Sequence, residues 1–298
     1  MNVIVTGATG LVGRFVVEKL VELGSFTVIA QSRNLSDLRL LSLNISYMEF
    51  DLLNVNVVQE MTAVAPALIV HCAAQIPIGA INDQNAAQIN RKIDQNILNV
   101  AQRSGAKVVF ISSSAVYEDV TLPWKESLRV SPRSMYAKEK LFSESYFSEL
   151  TNPGISLRIT SPYGGFENAA RNVMYKFVHA AIANQQLTLY GSGMRCQNFI
   201  FAGDIADALV LVILKIKKCS RIAGIFNIAS DSSITMLDLA TSIVQLVGKG
   251  EIVYSSSVDA DEHFKSEIDI DKARQMLGWA PSTNLMNGIQ SLIDTIEV

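Results

Sequence analysis

The stretch VIVTGATGLVGRF, Val3 to Phe15, constrains the fold more than any other part of the chain. A β-branched run gives way to a helical apolar pattern, and Gly7, Gly10 and Gly13 stand at the junction. Glycine lets a backbone turn tightly and approach another group closely, while a helix N-terminus presents unpaired N–H groups at the positive end of its dipole. A strand, a glycine-rich turn and a helix in this order form the setting of a dinucleotide fingerprint. The expected pyrophosphate contacts are Gly7, Gly10 and Gly13, with Leu11 and Val12 at the helix opening.

A loop of this kind belongs to a βαβ unit, and the first half of the chain repeats that alternation. Strands are predicted at Val3–Thr6, Thr27–Gln31, Ile45–Phe50, Leu68–His71, Lys107–Ser112 and Ser156–Thr160, most of them continuous apolar runs as strands buried on both faces should be. Helices are predicted between them at Leu11–Leu23, Val55–Ala63, Ala86–Ser104 and Ser134–Leu150, each long enough for a right-handed crossover. The fold class is therefore α/β, a doubly wound parallel sheet with helices on both faces. The pattern changes at SPYGGFENAARN, which divides residues 1–164 from 165–298, with 199–229 expected to pack back on the first part. Beyond the division, Asp204 is expected to cap a helix striped by Ile205, Ala208, Leu209, Val212, Ile213 and Ile216. Thr235 with Asp238 reads as a capping box for a helix ending near Gly248, and IDKARQMLGWAP as a short helix closed by Gly278 and Pro281.

With 298 residues, 49% of them hydrophobic and only 18% charged, the chain can bury a sizeable core. A net charge of -3 provides no basic field for nucleic acid or an anionic membrane. The longest apolar run, Ala208 to Leu214, is too short to span a bilayer, and no basic segment precedes an apolar run at the start, so a cytoplasmic protein is expected. Cys72, Cys196 and Cys219, like His71, His179 and His263, are scattered without metal-ligand spacing, and no metal is expected.

The cofactor choice turns on the end of the second strand, AQSRNLS. A carboxylate there would hold the adenosine ribose hydroxyls of NAD, but the chain has Ser32 and Arg33. A small hydroxyl followed by a guanidinium suits the 2′-phosphate of NADP, the preferred expectation, with an NAD site beside a solvated arginine as the alternative. Asp51, ending the third strand, is either an adenine contact or a turn former.

In SMYAKEK, Tyr136 and Lys140 fall one turn apart on a predicted helix and share a face. Together with the glycine spacing, HCAA after the fourth strand, SSSAVY after the fifth, and LRITSPYGG, FIFAGDIADAL, FNIAS and ARQMLGWAP further on, they carry a resemblance over nearly the whole chain. The sequence resembles the extended short-chain dehydrogenase/reductases, and within them the NAD(P)-dependent epimerase/dehydratase family that modifies nucleotide sugars. The resemblance implies a Rossmann-type doubly wound cofactor domain lined also by Leu52 and Ala73, a smaller α/β C-terminal substrate domain, a nucleotide-sugar substrate, and a homodimer formed through the helices predicted at Ala86–Ser104 and Ser134–Leu150. It implies that Ser113, Tyr136 and Lys140 are catalytic. Lys140 would hold the nicotinamide ribose and lower the tyrosine's pKa, Tyr136 would exchange a proton with the substrate oxygen, and Ser113 would hydrogen-bond that oxygen.

Departures from the family pattern narrow the reaction. Dehydratases of the family carry an Asp-Glu pair directly after the catalytic Thr, where this chain has Ser114 and Ala115; enzymes that epimerise beside the ketone carry a Cys at the position of Ala115. Hydride transfer alone remains, either as an NADPH-dependent 4-ketoreductase, the first expectation, or as oxidation and re-reduction by a 4-epimerase with tightly bound NAD. A non-catalytic cofactor-binding regulatory protein is the alternative from another class. Candidate substrate contacts are Ser114, Ser161, Arg195, Gln197 and Lys265. Gln197 stands where the family has a phosphate-binding Arg, a charge that Arg195 or Lys265 would replace.

Overall fold

The computed structural model describes residues 1–36, 45–77, 82–118, 120–165, 172–218 and 221–297. The chain opens with β1 (Asn2–Thr6), α1 (Leu11–Glu22), β2 (Thr27–Ser32), β3 (Ile45–Glu49), α2 (Val57–Ala63), β4 (Leu68–His71), α3 (Asp83–Ser104), β5 (Lys107–Ser113), α4 (Met135–Ser148) and β6 (Ile155–Ile159). It continues with β7 (Ser161–Tyr163), α5 (Val173–Ile182), β8 (Gln186–Leu189), β9 (Cys196–Gln197), β10 (Phe199–Phe201), α6 (Ala202–Lys217), β11 (Gly224–Ile228), β12 (Ile234–Thr235), α7 (Met236–Val247), β13 (Glu251–Tyr254), α8 (Asp271–Leu277) and α9 (Leu285–Glu297). Cys219 and the FENAAR segment of the predicted loop, residues 166–171, lie outside the described residues.

Seven strands form one sheet in the order β11-β6-β5-β4-β1-β2-β3, and every pairing in it is parallel. Each interior strand feeds two cores, which is why it reads as an unbroken apolar run. In β1, Val3 and Val5 join the cluster beneath α1, α6 and α8, while Ile4 joins the cluster beneath α2, α3 and α4. Leu68 and Val70 of β4 divide from Ile69 in the same way. The chain reverses direction across the sheet between β1 and β4, which opens a crevice at the carboxyl ends of these strands.

A third apolar cluster joins α5, α7 and α9 with β7, β8 and β10, through Tyr163, Phe177, Leu187, Phe199, Leu239 and Ile289 among others. The intervening α6 and β11 belong to the first layer instead: β11 pairs with β6, and α6 packs along α1.

One local expectation is corrected. Asp204 is not the cap of α6, whose N-cap position is Phe201. Its buried carboxylate lies inside the first turn and accepts hydrogen bonds from the amides and hydroxyls of Ser282 and Thr283, at 2.8–3.2 Å. A buried carboxylate needs such donors, and here it ties the C-terminal segment to α6. Thr235 does cap α7, its hydroxyl accepting from the amide of Asp238 at 3.0 Å.

Candidate active site

The glycine loop sits in the crevice beside β4. Gly7 adopts φ +63°, and a Cβ there would lie 2.8 Å from Cα of Ala73, so the turns after β1 and β4 touch backbone to backbone. At Gly13 a Cβ would lie 2.2 Å from the carbonyl oxygen of Gly7, so only glycine lets α1 start this close to the loop. Gly10 occupies the N-cap of α1 and supplies no side chain, which leaves the amides of Leu11, Val12 and Gly13 uncapped. A cradle with no room for a Cβ and an uncapped helix start fit the pyrophosphate of a dinucleotide.

The second strand meets this loop through Ser32, whose hydroxyl lies 2.6 Å from that of Thr9. Arg33, the next residue, is exposed and makes no ion pair among the described residues. Asp51 forms a turn, its carboxylate accepting from the amide of Leu53 at 2.9 Å, which is the turn-forming alternative for this residue. Leu52 packs into the core beneath α2 and α3.

Ser113, Tyr136 and Lys140 converge where the N-terminal half of α4 crosses the end of β5. Lys140 is buried, donates to the carbonyl of Ile111 at 2.8 Å, and lies 5.9 Å from the centre of the Tyr136 ring. The Phe110 ring supports the same ammonium at 4.5 Å. Ser113 ends β5, and its hydroxyl oxygen accepts from the amide of Ala115 at 3.1 Å, which leaves its own proton to donate. Ser114 follows in a short 3-10 turn. Burial pushes the nearby Cys72 thiol up to about 12, with Lys140 pulling the other way, so at neutral pH this group stays a thiol.

Sequence reasoning missed what holds Tyr136 in place. Asp83, at the start of α3, accepts from the amides of Met135 (2.5 Å) and Tyr136 (2.7 Å). Ser134 takes the amide of Ala137, and Glu118 those of Arg133 and Ser134. Every free N–H of the first turn of α4 thus has an oxygen partner, two of them carboxylates at the positive end of the helix dipole. Asp83→Ala is expected to lower turnover at least about tenfold while Asp83→Asn, which keeps an acceptor, loses less; thermal melts should move by no more than about 2 kcal/mol, the upper range for losing a cap. Equal turnover of both variants and the parent protein would remove Asp83 from this role.

A buried chain of polar groups supports the same region. Thr6 accepts from the amide of Ala73 at 3.3 Å and lies 2.7 Å from Nδ1 of His71, whose Nε2 is 2.9 Å from Asp94. Ser143 of α4 donates to the other oxygen of Asp94 at 2.5 Å. An ionised Asp94 can only accept, so Nε2 of His71 is the donor to it, and Nδ1 shares a hydrogen bond with the Thr6 hydroxyl. No spacing signal in the sequence pairs these residues.

Of the candidate substrate contacts, Ser161 and Gln197 meet directly, the Gln197 amide donating to the Ser161 hydroxyl. Lys265 runs alongside them, bridged to Cys196. Arg195 does not join this group: its guanidinium pairs with Asp259 (3.4 Å) and Asp261 (3.9 Å) at a separate cleft of about 340 Å³ lined also by Phe177, Tyr190 and Met236. Those carboxylates lie in a loop some sixty residues further on, beyond any local pattern. Among the described residues there is no cluster of three His, Cys, Asp or Glu side chains able to hold a metal, and no helix long and apolar enough to cross a membrane.

The family model for the NAD dependent epimerase/dehydratase family matches residues 3–229. The chain belongs to this family. Among similar proteins, a UDP-glucuronic acid decarboxylase 1 of Xenopus tropicalis is 26% identical over 98% of this chain and 71% of its own length. A putative UDP-glucose 4-epimerase of Methanocaldococcus jannaschii is 27% identical over 99% and 98% of the two chains. Among solved structures, an epimerase of Methanothermobacter thermautotrophicus superimposes with a TM-score of 0.88 at 25% identity, over 99% of this chain and 92% of the other. A UDP-glucuronic acid 4-epimerase of Bacillus cereus, in complex with UDP-glucuronic acid and NAD, gives 0.87 at 22% identity, over 100% and 99%. For this epimerase/dehydratase family member the last likeness shows the fold alone.

Proposed function

We propose that this protein transfers hydride between a nicotinamide dinucleotide and a secondary alcohol or ketone of a nucleotide sugar, most simply as a 4-ketoreductase. The observation that carries the reading is the convergence of Tyr136, Lys140 and Ser113 beside the glycine loop, with no carboxylate in the turn after Ser113. The dinucleotide, when bound, supplies or accepts the hydride. Tyr136 gives its phenolic proton to the ketone oxygen as that oxygen becomes an alcohol, and the Lys140 ammonium stabilises the phenolate left behind. Ser113, its oxygen already held by Ala115, points its own proton at the same oxygen and needs no reorganisation to stabilise developing charge. Ser114 and Ala115 offer no second acid or base, which disfavours water loss. Ser161, Gln197 and Lys265 are proposed to face the sugar diphosphate. The exposed stripe of Met135, Phe142 and Tyr146 on α4 supports pairing with a second copy, which light scattering tests directly: the mass of a single chain would remove it.

The cofactor form divides the two finer readings. NADP is supported by Ser32 and by Arg33, which makes no ion pair among the described residues, where a ribose-binding carboxylate is missing. A 4-epimerase that retains NAD is the second reading, supported by relatives described as 4-epimerases and by the NAD in the Bacillus cereus complex. In the first case one NADPH is consumed for each 4-keto nucleotide sugar reduced, and Arg33→Ala weakens NADPH far more than NADH. Purified protein that carries tight NAD and turns over with no external NADPH would decide for the epimerase. Equal weakening of both cofactors by Arg33→Ala would leave Arg33 a general surface charge.

A further inference from the structure

A cleft of about 1110 Å³ lies apart from the glycine loop and from the cleft at Arg195. It opens behind α4 at the amino ends of β6 and β11, against Gly154 and Gly224, whereas the glycine loop and Ser113 lie at the carboxyl ends of the sheet. None of the glycine loop, Ser113, Tyr136, Ser161 or Gln197 lines it.

The floor of this cleft breaks the rule that a strand covered on both faces is apolar on both. Ile155, Leu157 and Ile159 of β6 enter the core on one side, but Ser156 and Arg158 face the cleft side. Ser156 is a buried residue that lines the cleft. Arg158 is gripped by Glu144 through Nε (2.9 Å) and Nη2 (2.7 Å) and lies 4.8 Å from the centre of the Tyr117 ring, and its buried Nη1 has no hydrogen-bond partner among the described residues. A buried polar group left unmatched in this way calls for a ligand or water.

The charges of the lining do not cancel once their partners are counted. Glu144 pairs with Arg158 and also accepts from the hydroxyl of Ser112 (2.5 Å), and Asp269 pairs with Lys125 (3.4 Å), while Glu126 accepts only from the neutral amide of Asn227 (2.8 Å) and keeps its charge. Lys138 on α4 has no acidic partner among the described residues, and Lys272 donates only to the carbonyl of Ile225. Lys138 and Lys272 against Glu126 leave the lining with a net positive charge. Between these lysines the walls are apolar, with Val130, Pro132, Leu141 and Ile225.

We infer that this cleft is a second ligand site, taking a small amphipathic organic anion whose apolar body rests on Leu141 and Val130 and whose acid group meets Lys138 and Lys272. Its volume of about 1110 Å³ is somewhat above that of typical small-molecule sites, which are about 300–1,000 Å³ and largely apolar with a few polar groups. The inference does not depend on the reaction proposed above.

Anilinonaphthalene sulfonate, an aromatic sulfonate, serves as the probe, titrated by fluorescence and calorimetry into the full chain saturated with NADPH or NAD. The expected result is one probe bound per chain, not displaced by dinucleotide, with affinity falling at least about fivefold in Lys138→Glu and in Lys272→Glu and falling again with rising ionic strength. Lys138 is exposed, so its variant should keep the parent circular dichroism and dinucleotide affinity; it decides the matter if Lys272→Glu fails to fold. Displacement of the probe by dinucleotide, unchanged affinity in Lys138→Glu, or no stoichiometric binding would each overturn the site. So would a mass of two chains that falls to one as the probe binds, since a second copy would then be the natural cover.

Discussion

Tyr136→Phe is expected to lower turnover by at least about a hundredfold, because a positioned general acid or base is typically worth 10² to 10⁴. Dinucleotide affinity and thermal stability should stay close to those of the parent protein. The Tyr136 hydroxyl makes no hydrogen bond among the described residues, so its removal leaves no partner unsatisfied, and the ring can keep its place above Lys140. The two arms separate chemistry from folding: single-turnover rates measure the first, melting curves and cofactor titration the second. Near-normal turnover would remove Tyr136 from the mechanism, and the assignment of Ser113 and Lys140 would lose its centre.

Gly13→Ala should produce the largest effect on cofactor binding. A Cβ only 2.2 Å from the Gly7 carbonyl oxygen and 2.9 Å from its carbon cannot be absorbed by a flexible side chain, because both atoms are backbone. Either α1 retreats from the loop or the loop opens, and overpacking of this kind costs about 1–3 kcal/mol. Since the uncapped amides of α1 are the proposed anion contacts, dinucleotide affinity should fall at least about tenfold, 1.4 kcal/mol being a factor of ten. Calorimetric titration alongside a melting curve checks both effects. Parent-like affinity in a folded variant would mean that the glycine serves chain packing and not the pyrophosphate.

The cofactor form and the second cleft rest on charges at the surface, where effects are smaller and salt-sensitive. For that reason their tests compare ligands, variants and ionic strengths instead of relying on one loss of activity.

What the sequence determined by itself was local. Val3–Thr6 followed by Gly7, Gly10 and Gly13 spells a strand, a tight turn and a helix because backbone freedom and apolar periodicity act over a few residues. Tyr136 and Lys140 are neighbours because four residues make about one helical turn, and Thr235 caps α7 because its acceptor sits three residues from its donor. Asp204 shows where local reading fails: an acid at a helix start resembles a cap, yet its partners, Ser282 and Thr283, lie more than seventy residues on. The same holds for Asp83, which secures the amide of Tyr136 from 53 positions away, and for Arg195, whose charge is claimed by Asp259 and Asp261. β11 enters the main sheet only because β6 offers it an edge, and Arg158 belongs to a cleft only because Glu144 occupies two of its three nitrogens. Partner choice among polar side chains depends on which groups meet once the sheet and its helices have closed, and buried groups that find no partner are invisible until then. Tertiary structure alone therefore decided which charges were spent within the protein and which were left for a ligand.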